Sequence, residues 1–201
     1  MPEKILVSTA YLPPVEYFSL VSKSDEVLIE SCENYIKQSY RNRCYILSSH
    51  GPQLLSVPVY LGSIHKTPLN EIRIDYTKRW QQVHTRAIRA SYGASPYFQF
   101  YFEEIEKIIS KKTDFLLDLN MELTDSLLKM LKLNTKLNRT TNFEPIGEPC
   151  NDFRYKISPK LKYPLSPKEY IQVFNTGNGF IKGLSIIDLV FNMGPEAINY
   201  L

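Results

Sequence analysis

The chain has few of the residues and patterns that identify metalloproteins, disulfide-rich proteins or membrane proteins. It contains three cysteines, three histidines and one tryptophan among 201 residues. The cysteines lack the spacing of metal ligands, and three of them cannot all form disulfide bonds within one chain. With no charged and then apolar leader at its start, the sequence predicts a reduced, cytoplasmic setting. No apolar run approaches the roughly 20 residues that a membrane-spanning helix needs, so no membrane span is expected.

Strong catalytic motifs are also missing. The sequence has no GxSxG, no GxxxxGK(S/T), no HExxH and no pair of CxxC motifs. His50, His65 and His84 lie far apart in sequence, so we predict no metal site and no cofactor. The net charge of +3 is too small to indicate nucleic acid or an anionic membrane. Arginine and tyrosine interleave over residues 35–43, but RNA binding is the weakest of the alternatives because no RNA-binding module accompanies them.

The chain is rich in apolar and aromatic residues instead. Hydrophobic residues make up 43% of it, and it has 14 tyrosines and 10 phenylalanines. A chain of this length and composition can bury a large, aromatic core. We predict a single domain over residues 1–201, with an α/β sub-lobe over 1–76, a helical sub-lobe over 77–136 and a C-terminal extension over 137–201 that packs back.

The N-terminal pattern predicts a strand–helix–strand unit. Residues 4–9 (KILVST) form a β-branched apolar run that two prolines stop, a helix covers 15–22, and EVLIE at 26–30 forms a second strand. This spacing is typical of a crossover between parallel strands. Because ligands gather at the carboxyl ends of such strands, we expect the loops at 9–13 and 31–37 to face one crevice.

The middle of the chain predicts a β-hairpin and then helices. The arms YILSS and QLLSVPV flank a turn at His50-Gly51-Pro52, and Leu69–Tyr76 contains a further strand-like alternation. Three helical patterns follow: residues 78–92 with Thr77 as the cap, a second helix from Ser95 and Pro96 to residue 112, and residues 114–133.

The C-terminal third predicts a loop, a strand and a helix. Periodicity fades over residues 134–167, YIQVF at 170–174 is strand-like, and residues 175–179 form a turn. Ser185 begins a helix in which Asp188 has the spacing of a capping box. The predicted fold class is therefore α/β, with an N-terminal strand–helix–strand unit and a β-hairpin, a mainly helical half, and a short C-terminal strand–helix.

A dense set of polar side chains precedes the hairpin, within residues 34–43. Lys37 and Arg43 suit a phosphate or a carboxylate, and Asn42 can bind a sugar hydroxyl or an amide. The residues leave open the alternative that these are ordinary solvated side chains in front of a hairpin.

Trp80 and His84 lie four residues apart and therefore share a helix face, which helical spacing makes apolar with Val83, Ala87 and Ile88. A half-buried histidine can act as a general base because its ordinary pKa of about 6.5 lies near neutral pH. The alternative is a packed core histidine with one hydrogen bond.

Two acidic residues and an aromatic run admit structural explanations as well as functional ones. Glu16 could point into the crevice, but it also suits the positive end of a helix dipole. Asp188 is interpreted as a capping residue rather than a catalytic acid. The run YFQFYF at residues 97–102 has more aromatic side chains than one helix face can bury, which favours a protein interface.

Several segments together resemble the WbqC-like protein family. They are YLPPVEYF, SDEVLIESCENYIKQSYRNRC, LLSVPV, the spaced W, H, I, Y and P of residues 80–96, and the ending GFIKGLSIIDLVFNMGPEA. The NR pair followed by VPV is the most specific part. The residues that match the family pattern position by position are Tyr11, Pro13, Lys37, Asn42, Arg43, Trp80 and His84. The chain departs from the pattern at Thr9-Ala10, Glu30-Ser31 and Asn34, where the family has Gln-Pro, aspartates and Gln.

The resemblance implies a bacterial protein of surface-polysaccharide (O-antigen-type) synthesis that transfers an acyl or aminoacyl group to a nucleotide-linked amino sugar. On this hypothesis the catalytic residues are His84 and Lys37, and the substrate-binding residues are Tyr11, Glu16, Asn34, Asn42, Arg43 and Trp80. The departures from the pattern imply a different substrate or weaker binding. The alternative hypothesis is a non-catalytic binding or assembly protein that acts as a homodimer or as a partner subunit.

Overall fold

The computed structural model describes residues 4–60, 67–143, 151–161, 167–174 and 179–201, and its fold is mixed α/β, as predicted. Within this part of the chain the strands are β1 (Lys4–Ser8), β2 (Glu26–Glu30), β3 (Arg43–Ser48), β4 (Gly51–Ser56) and β5 (Lys136–Arg139). The helices are α1 (Val15–Val21), α2 (Trp80–Tyr92), α3 (Phe98–Ser110), α4 (Leu116–Met130) and α5 (Ile186–Met193). Short 3-10 turns cover Tyr40–Asn42, Leu69–Glu71 and Gly194–Tyr200. None of the helices described is long and apolar enough to cross a membrane.

The N-terminal strand–helix–strand unit forms as predicted. β1 and β2 pair in parallel, with Ile5 opposite Val27, and both side chains are buried. α1 makes the crossover, and Pro14 precedes it in an extended conformation, which a proline adopts readily. Because the strands are parallel and in register, their carboxyl ends at Ser8 and Glu30 lie side by side.

A third strand joins this sheet from the segment that we predicted to be a long loop. β5 pairs in parallel with β2, with Lys136 opposite Glu26, and the sheet order is β1-β2-β5. The prediction of a loop is wrong here because β5 is only four residues long and polar, with Leu137 as its single apolar side chain. Nothing in its local pattern distinguishes it from a loop, and only pairing with β2 makes it a strand.

The predicted β-hairpin is confirmed, but its turn lies one residue earlier than expected. β3 and β4 pair antiparallel with Ser48 opposite Gly51, so Ser49 and His50 form the two-residue turn. Gly51 has a φ of +102°, which glycine adopts without steric cost. The segment Val57-Pro58-Val59 lies beyond β4, so the sequence prediction extended this arm too far.

The three predicted helices of the middle section form as α2, α3 and α4, but the predicted caps are wrong. Thr77 does not cap α2, because the helix begins only at Trp80 with Arg79 at the N-cap position, and the Thr77 N–H donates to the Asp75 carboxylate at 2.8 Å in the turn before it. Ser95 does not cap α3, because Tyr97 occupies the N-cap position and the buried Ser95 hydroxyl has no partner in the described structure. α3 therefore begins only at Phe98.

Two predicted strands do not form. The segment Leu69–Tyr76 starts with a 3-10 turn and continues with isolated bridges. Residues 170–174 are also outside any strand, and the Gln172 amide instead binds the main chain of Ile181 through both its nitrogen and its oxygen. Both segments alternate in polarity, but the first meets its neighbours only at single bridges such as Ile74 with Val59, and the second pairs with no strand in the described part of the chain. Of the predicted turn that follows, residues 175–178 lie outside the described part.

Aromatic side chains join the helical half to the C-terminal helix. Phe98 and Phe102 of α3 stack with their ring centres 4.5 Å apart, and Phe191 of α5 lies edge-on to Phe98 at 5.2 Å. Tyr92 of α2 lies 5.4 Å from Phe191, and its hydroxyl accepts a hydrogen bond from the N–H of Leu47 in β3. These contacts connect α2, α3, α5 and the hairpin in one hydrophobic core.

Candidate functional site

The topology predicted a crevice at the carboxyl ends of β1 and β2, which lie side by side at one edge of the sheet. Ser8 lies opposite Glu30 at these ends. The loops that follow the two strands are joined by a hydrogen bond from the Tyr11 N–H to the Tyr40 carbonyl, at 2.9 Å. A second connection is made by Arg41, whose Nη2 donates to the Ser8 hydroxyl at 2.7 Å. The two loops therefore lie together at one edge of the sheet.

A buried ion pair fixes the second of these loops. The guanidinium of Arg41 binds the Glu33 carboxylate through two hydrogen bonds, Nε to Oε1 at 3.0 Å and Nη2 to Oε2 at 2.7 Å. Both side chains are at least 95% buried. The Arg41 carbonyl also accepts a hydrogen bond from the Asn120 amide at 2.8 Å. Since a two-pronged pair of this kind has a defined geometry, the loop is held rigidly at the sheet edge.

Arg154 forms a second buried ion pair at the same edge. Its Nη1 binds Glu30 at 2.8 Å, although the two residues are 124 positions apart. It also binds Asp152, whose pKa is lowered because hydrogen bonds from Arg154 outweigh the opposing effect of burial. The exposed rings of Phe143 and Tyr155 lie 5.3 Å and 5.9 Å from the guanidinium carbon. Arg154 therefore closes one side of the crevice.

A small cleft opens between these groups at the end of β1. Its walls come from residues 7–10, Arg41, Arg154 and the apolar side chains of Phe153 and Ile157. The cleft has a volume of about 10 Å³, room for roughly one water molecule. It can take a single atom or the tip of a ligand rather than a whole sugar.

Lys37 and Asn34 project from the loop after β2 into solvent. Both side chains are exposed. The main chain around them is fixed, because the Tyr35 N–H donates to the Thr67 carbonyl at 2.9 Å and the Leu69 N–H donates to the Glu33 carbonyl at 2.8 Å. Among the described residues, the Lys37 ammonium has neither an ion pair nor a hydrogen bond. The rigid loop thus presents a free cation.

Arg43 is a second cation without a counter-ion. It begins β3 and is partly buried, and its Nε is buried with no hydrogen-bond partner. In the described part of the chain no carboxylate pairs with it. Burial raises the pKa of the nearby Tyr35 phenol, but the positive charges of Arg43 and Arg41 act in the opposite direction. Within this part of the chain, Arg43 therefore keeps donors to bind an anion.

Asn42 connects the start of the hairpin to the segment after it. The side-chain nitrogen of Asn42 donates to the Val57 carbonyl at 2.9 Å and to the Ser56 hydroxyl at 3.3 Å. The main-chain carbonyl of Asn42 accepts a hydrogen bond from the Val57 N–H at 2.8 Å. Asn42 is 7% exposed, and its side-chain oxygen has no partner in the described structure. The amide nitrogen is thus occupied by the protein itself.

Tyr11, from the loop after β1, forms a buried cluster with Trp80 and His84 of α2. The Tyr11 hydroxyl lies 2.9 Å from Nδ1 of His84, and the ring centre of Trp80 lies 5.1 Å from that of His84. Burial lowers the pKa of His84 to about 4, against a weaker opposing effect of a hydrogen bond with the Ser56 main chain. The imidazole is therefore neutral at pH 7. With Tyr11 fully buried and His84 only 3% exposed, the cluster has the arrangement of a packed core histidine.

Comparison with known proteins identifies the family. Residues 9–163 match the model of the WbqC-like protein family. The chain belongs to the WbqC-like family. It is similar to the Uncharacterized protein Rv1507c of Mycobacterium tuberculosis, with 26% identity over 230 aligned positions that cover 100% of this chain and 98% of the relative. No solved structure matches.

The structure separates the WbqC-like motif residues into two groups. Lys37 and Arg43 have no ion-pair partner among the described residues, whereas Tyr11, Trp80 and His84 are buried. Asn42 explains why the family's NR and VPV segments occur together: the side chain and main chain of Asn42 both bind Val57. The catalytic and binding roles of all these residues remain predictions.

Glu16 and Asp188 lie inside the protein rather than in the crevice. Glu16 is 1% exposed and accepts a hydrogen bond from the Gly183 N–H at 2.9 Å, and burial raises its pKa. The capping-box prediction is wrong for Asp188, because the Ser185 N–H that it would bind donates to the Tyr45 carbonyl instead. Asp188 accepts a hydrogen bond from the Tyr170 hydroxyl at 2.6 Å, and burial raises its pKa to about 6.

Three residues of the crevice were missed from the sequence, namely Glu33, Arg41 and Arg154. Single charged residues in irregular segments carry no pattern that indicates burial. The available signal was Glu30, a charged residue at the end of an otherwise apolar strand, which must find a cationic partner if it is buried. In the described part of the chain, no group of three or more His, Cys, Asp or Glu side chains is arranged to hold a metal ion.

Proposed function

We propose that this WbqC-like protein binds a nucleotide-linked or phosphorylated sugar in bacterial surface-polysaccharide synthesis and transfers an acyl or aminoacyl group to the amine of that sugar. In this reaction the amine nitrogen attacks the carbonyl carbon of an activated donor such as a thioester. A C–N bond forms, the bond to the leaving group breaks, and the amine proton passes to a base. The phosphate is held by Arg43 and Lys37.

The observation that carries the proposal is that Lys37 and Arg43, on the segment after β2, have no counter-ion among the described residues. Leaving a partly buried guanidinium such as Arg43 unpaired costs free energy, and an incoming phosphate recovers that cost. Lys37 adds a flexible point charge from solvent. The two carboxylate–arginine pairs of Glu33–Arg41 and Glu30–Arg154 support the proposal because they hold both loops in place before the ligand arrives.

His84 is the base in this proposal. It is neutral at pH 7, as a base must be, but its ring is 3% exposed and Nδ1 lies 2.9 Å from the Tyr11 hydroxyl. It reaches a substrate only if the Tyr11 loop moves. Lys37 contributes its ammonium to phosphate binding.

Calorimetric titration with UDP-linked amino sugars tests the binding step. Removing one charge-assisted hydrogen bond costs about 1.5–3 kcal/mol, so Arg43→Gln and Lys37→Ala should each weaken binding by roughly 10- to 100-fold. Lys107→Ala is the matched control, because Lys107 is exposed on α3 away from the crevice. Equal affinities for wild type and both crevice variants would contradict the assignment. Mass spectrometry of the sugar after incubation with thioester donors tests transfer.

A second candidate function, assembly as a dimer or partner subunit, is favoured by the outer face of α3. Phe98 and Phe102 are buried, but Phe100 is 67% exposed and lies 6.3 Å from the ring of Tyr97. Light scattering at high concentration tests this candidate. Phe100→Ser should then dissociate the assembly, whereas Val83→Ser, which removes an equally exposed apolar side chain from α2, should not. A monomer at every concentration would contradict dimer formation.

A further inference from the structure

Two hydrogen-bond donors in the cleft at the end of β1 are unused. Glu33 occupies Nε and Nη2 of Arg41, and Nη1 has no partner among the described residues. Thr9 also lines the cleft, and within the described part of the chain its hydroxyl makes no hydrogen bond. Arg41 is 4% exposed and Thr9 is 3% exposed, so only a small part of each side chain reaches solvent. The cleft therefore offers strong, fixed donors to a single acceptor atom.

The lining of the cleft also contains the hydroxyl-bearing Ser8, Tyr17 and Tyr40, and four apolar side chains. Val7 and Ala10 from the end of β1, and Phe153 and Ile157 from the segment around Arg154, face the same space. Water forms no hydrogen bonds with these apolar side chains, whereas burying a methyl or methylene group against them is favourable in free energy. A group with one acceptor oxygen next to a small apolar part fits both kinds of wall.

The charges around the cleft favour a neutral ligand group over an anion. The partly or fully buried charges are three carboxylates and two guanidiniums, namely Glu30, Glu33, Asp152, Arg41 and Arg154. The charge of Lys156 also lowers the pKa of Asp152, but this side chain is exposed and solvent screens its charge. An additional carboxylate would meet this excess of negative charge, while a carbonyl oxygen would only accept from Arg41 Nη1.

We infer that the cleft receives the carbonyl oxygen of a neutral acyl group of the ligand, such as the acetyl of a sugar that carries an N-acetyl group besides its free amine, with the oxygen on Arg41 and Thr9 and the methyl against the apolar side chains. The volume of about 10 Å³ holds the carbonyl oxygen, so the methyl lies at the mouth of the cleft. The inference rests on the proposed function and names the part of the sugar that enters the crevice. Arg41, which lines the cleft, and Arg43, the proposed phosphate-binding cation, are separated by one residue along the chain.

Saturation-transfer NMR with free sugars tests the cleft without any nucleotide. The acetyl methyl of N-acetylglucosamine should receive saturation from the wild-type protein, and glucosamine and glucose should give no signal above background. Thr9→Val keeps the side-chain shape and removes the hydroxyl, so the acetyl signal should fall severalfold. Thr135→Val is the matched control, because Thr135 lies at the amino end of the sheet, before β5. An absent acetyl signal in wild type, or an unchanged signal in Thr9→Val, overturns the inference.

Nucleotide sugars separate this inference from the proposed function. If both are correct, UDP-N-acetylglucosamine should bind about fivefold to tenfold more tightly than UDP-glucose, since one neutral hydrogen bond contributes about 1 kcal/mol and the buried methyl adds to it. Thr9→Val should reduce this preference and leave UDP-glucose binding unchanged. Equal affinity for the two ligands, with Arg43→Gln still weakening both, overturns the acyl cleft but not the phosphate site. If Arg43→Gln binds UDP-N-acetylglucosamine and UDP-glucose as tightly as wild type does, the proposed phosphate site is wrong. The free-sugar experiment then tests the acyl cleft by itself.

Discussion

Asp188 should make the stability of the protein depend on pH in a direction opposite to that of most carboxylates. The side chain is fully buried on α5, and no described cation pairs with it. Burial raises its pKa from 3.8 to about 6, so the folded state binds a proton more tightly than the unfolded state. The stability from this group is therefore fully present below pH 3.8 and is lost as pH rises through 6.

The size of the effect follows from the shift. A difference of one pKa unit corresponds to about 1.4 kcal/mol, so a rise from 3.8 to about 6 corresponds to about 3 kcal/mol between pH 4 and pH 8. Asp188→Asn removes the titration and keeps an oxygen to accept the Tyr170 hydrogen bond. The variant should match wild type near pH 4 and exceed its free energy of unfolding by up to about 3 kcal/mol at pH 8.

Urea denaturation of both proteins across pH 4–8 measures this difference. Taking the difference between the two proteins cancels other titrating groups, including His84. Asp125→Asn is the matched control, because Asp125 is an exposed aspartate paired with Lys129 on α4 and should change stability by less than about 1 kcal/mol at any pH. The reasoning would be refuted if the difference in free energy of unfolding between wild type and Asp188→Asn stayed constant within about 1 kcal/mol from pH 4 to pH 8.

Three further predictions concern the crevice and its support. The pKa of His84 is about 4 in the folded protein, below its ordinary value of 6.5. The free energy of unfolding should therefore fall by up to about 3 kcal/mol as the pH falls from 6.5 through 4. In urea denaturation, His84→Gln should remove this dependence on pH. Glu33→Gln leaves the buried Arg41 charge uncompensated and should lower the free energy of unfolding by about 3–5 kcal/mol, measured at pH 7. Asn42→Ala should cost about 1–3 kcal/mol because the Val57 carbonyl loses its donor, and faster amide exchange at Val57 should accompany the loss.

Local chemistry accounts for the elements that the sequence predicted well. β1, α1 and β2 follow from a β-branched run, a proline stop and a second apolar run, all within 30 residues. The hairpin follows from two apolar arms around Gly51, and the three central helices follow from apolar periodicity. Their caps were wrong because a cap depends on single hydrogen bonds, such as the one from Thr77 to Asp75, that compete with the helix start.

Predictions failed where a residue's partner lies far away in sequence. β5 is a strand only because β2 has a free edge, and the strand-like residues 170–174 are not a strand because they have no such neighbour. Asp188 has capping-box spacing, but Tyr45 occupies the N–H that a capping box needs. In each case a tertiary contact with a better partner overrides a local preference.

The sequence by itself determined the family, the strand–helix–strand start, the hairpin and the helical half, because periodicity and the turn residues act within a few positions of one another. It also marked Lys37 and Arg43 as candidate anion-binding residues. Only the tertiary structure decided that these two remain free while Tyr11, Asn42 and His84 are buried, and that Glu30 meets Arg154 across 124 positions. The physical reason is that burial and ion pairing depend on which segments meet in space, and a single charged residue carries no local sign of its partner.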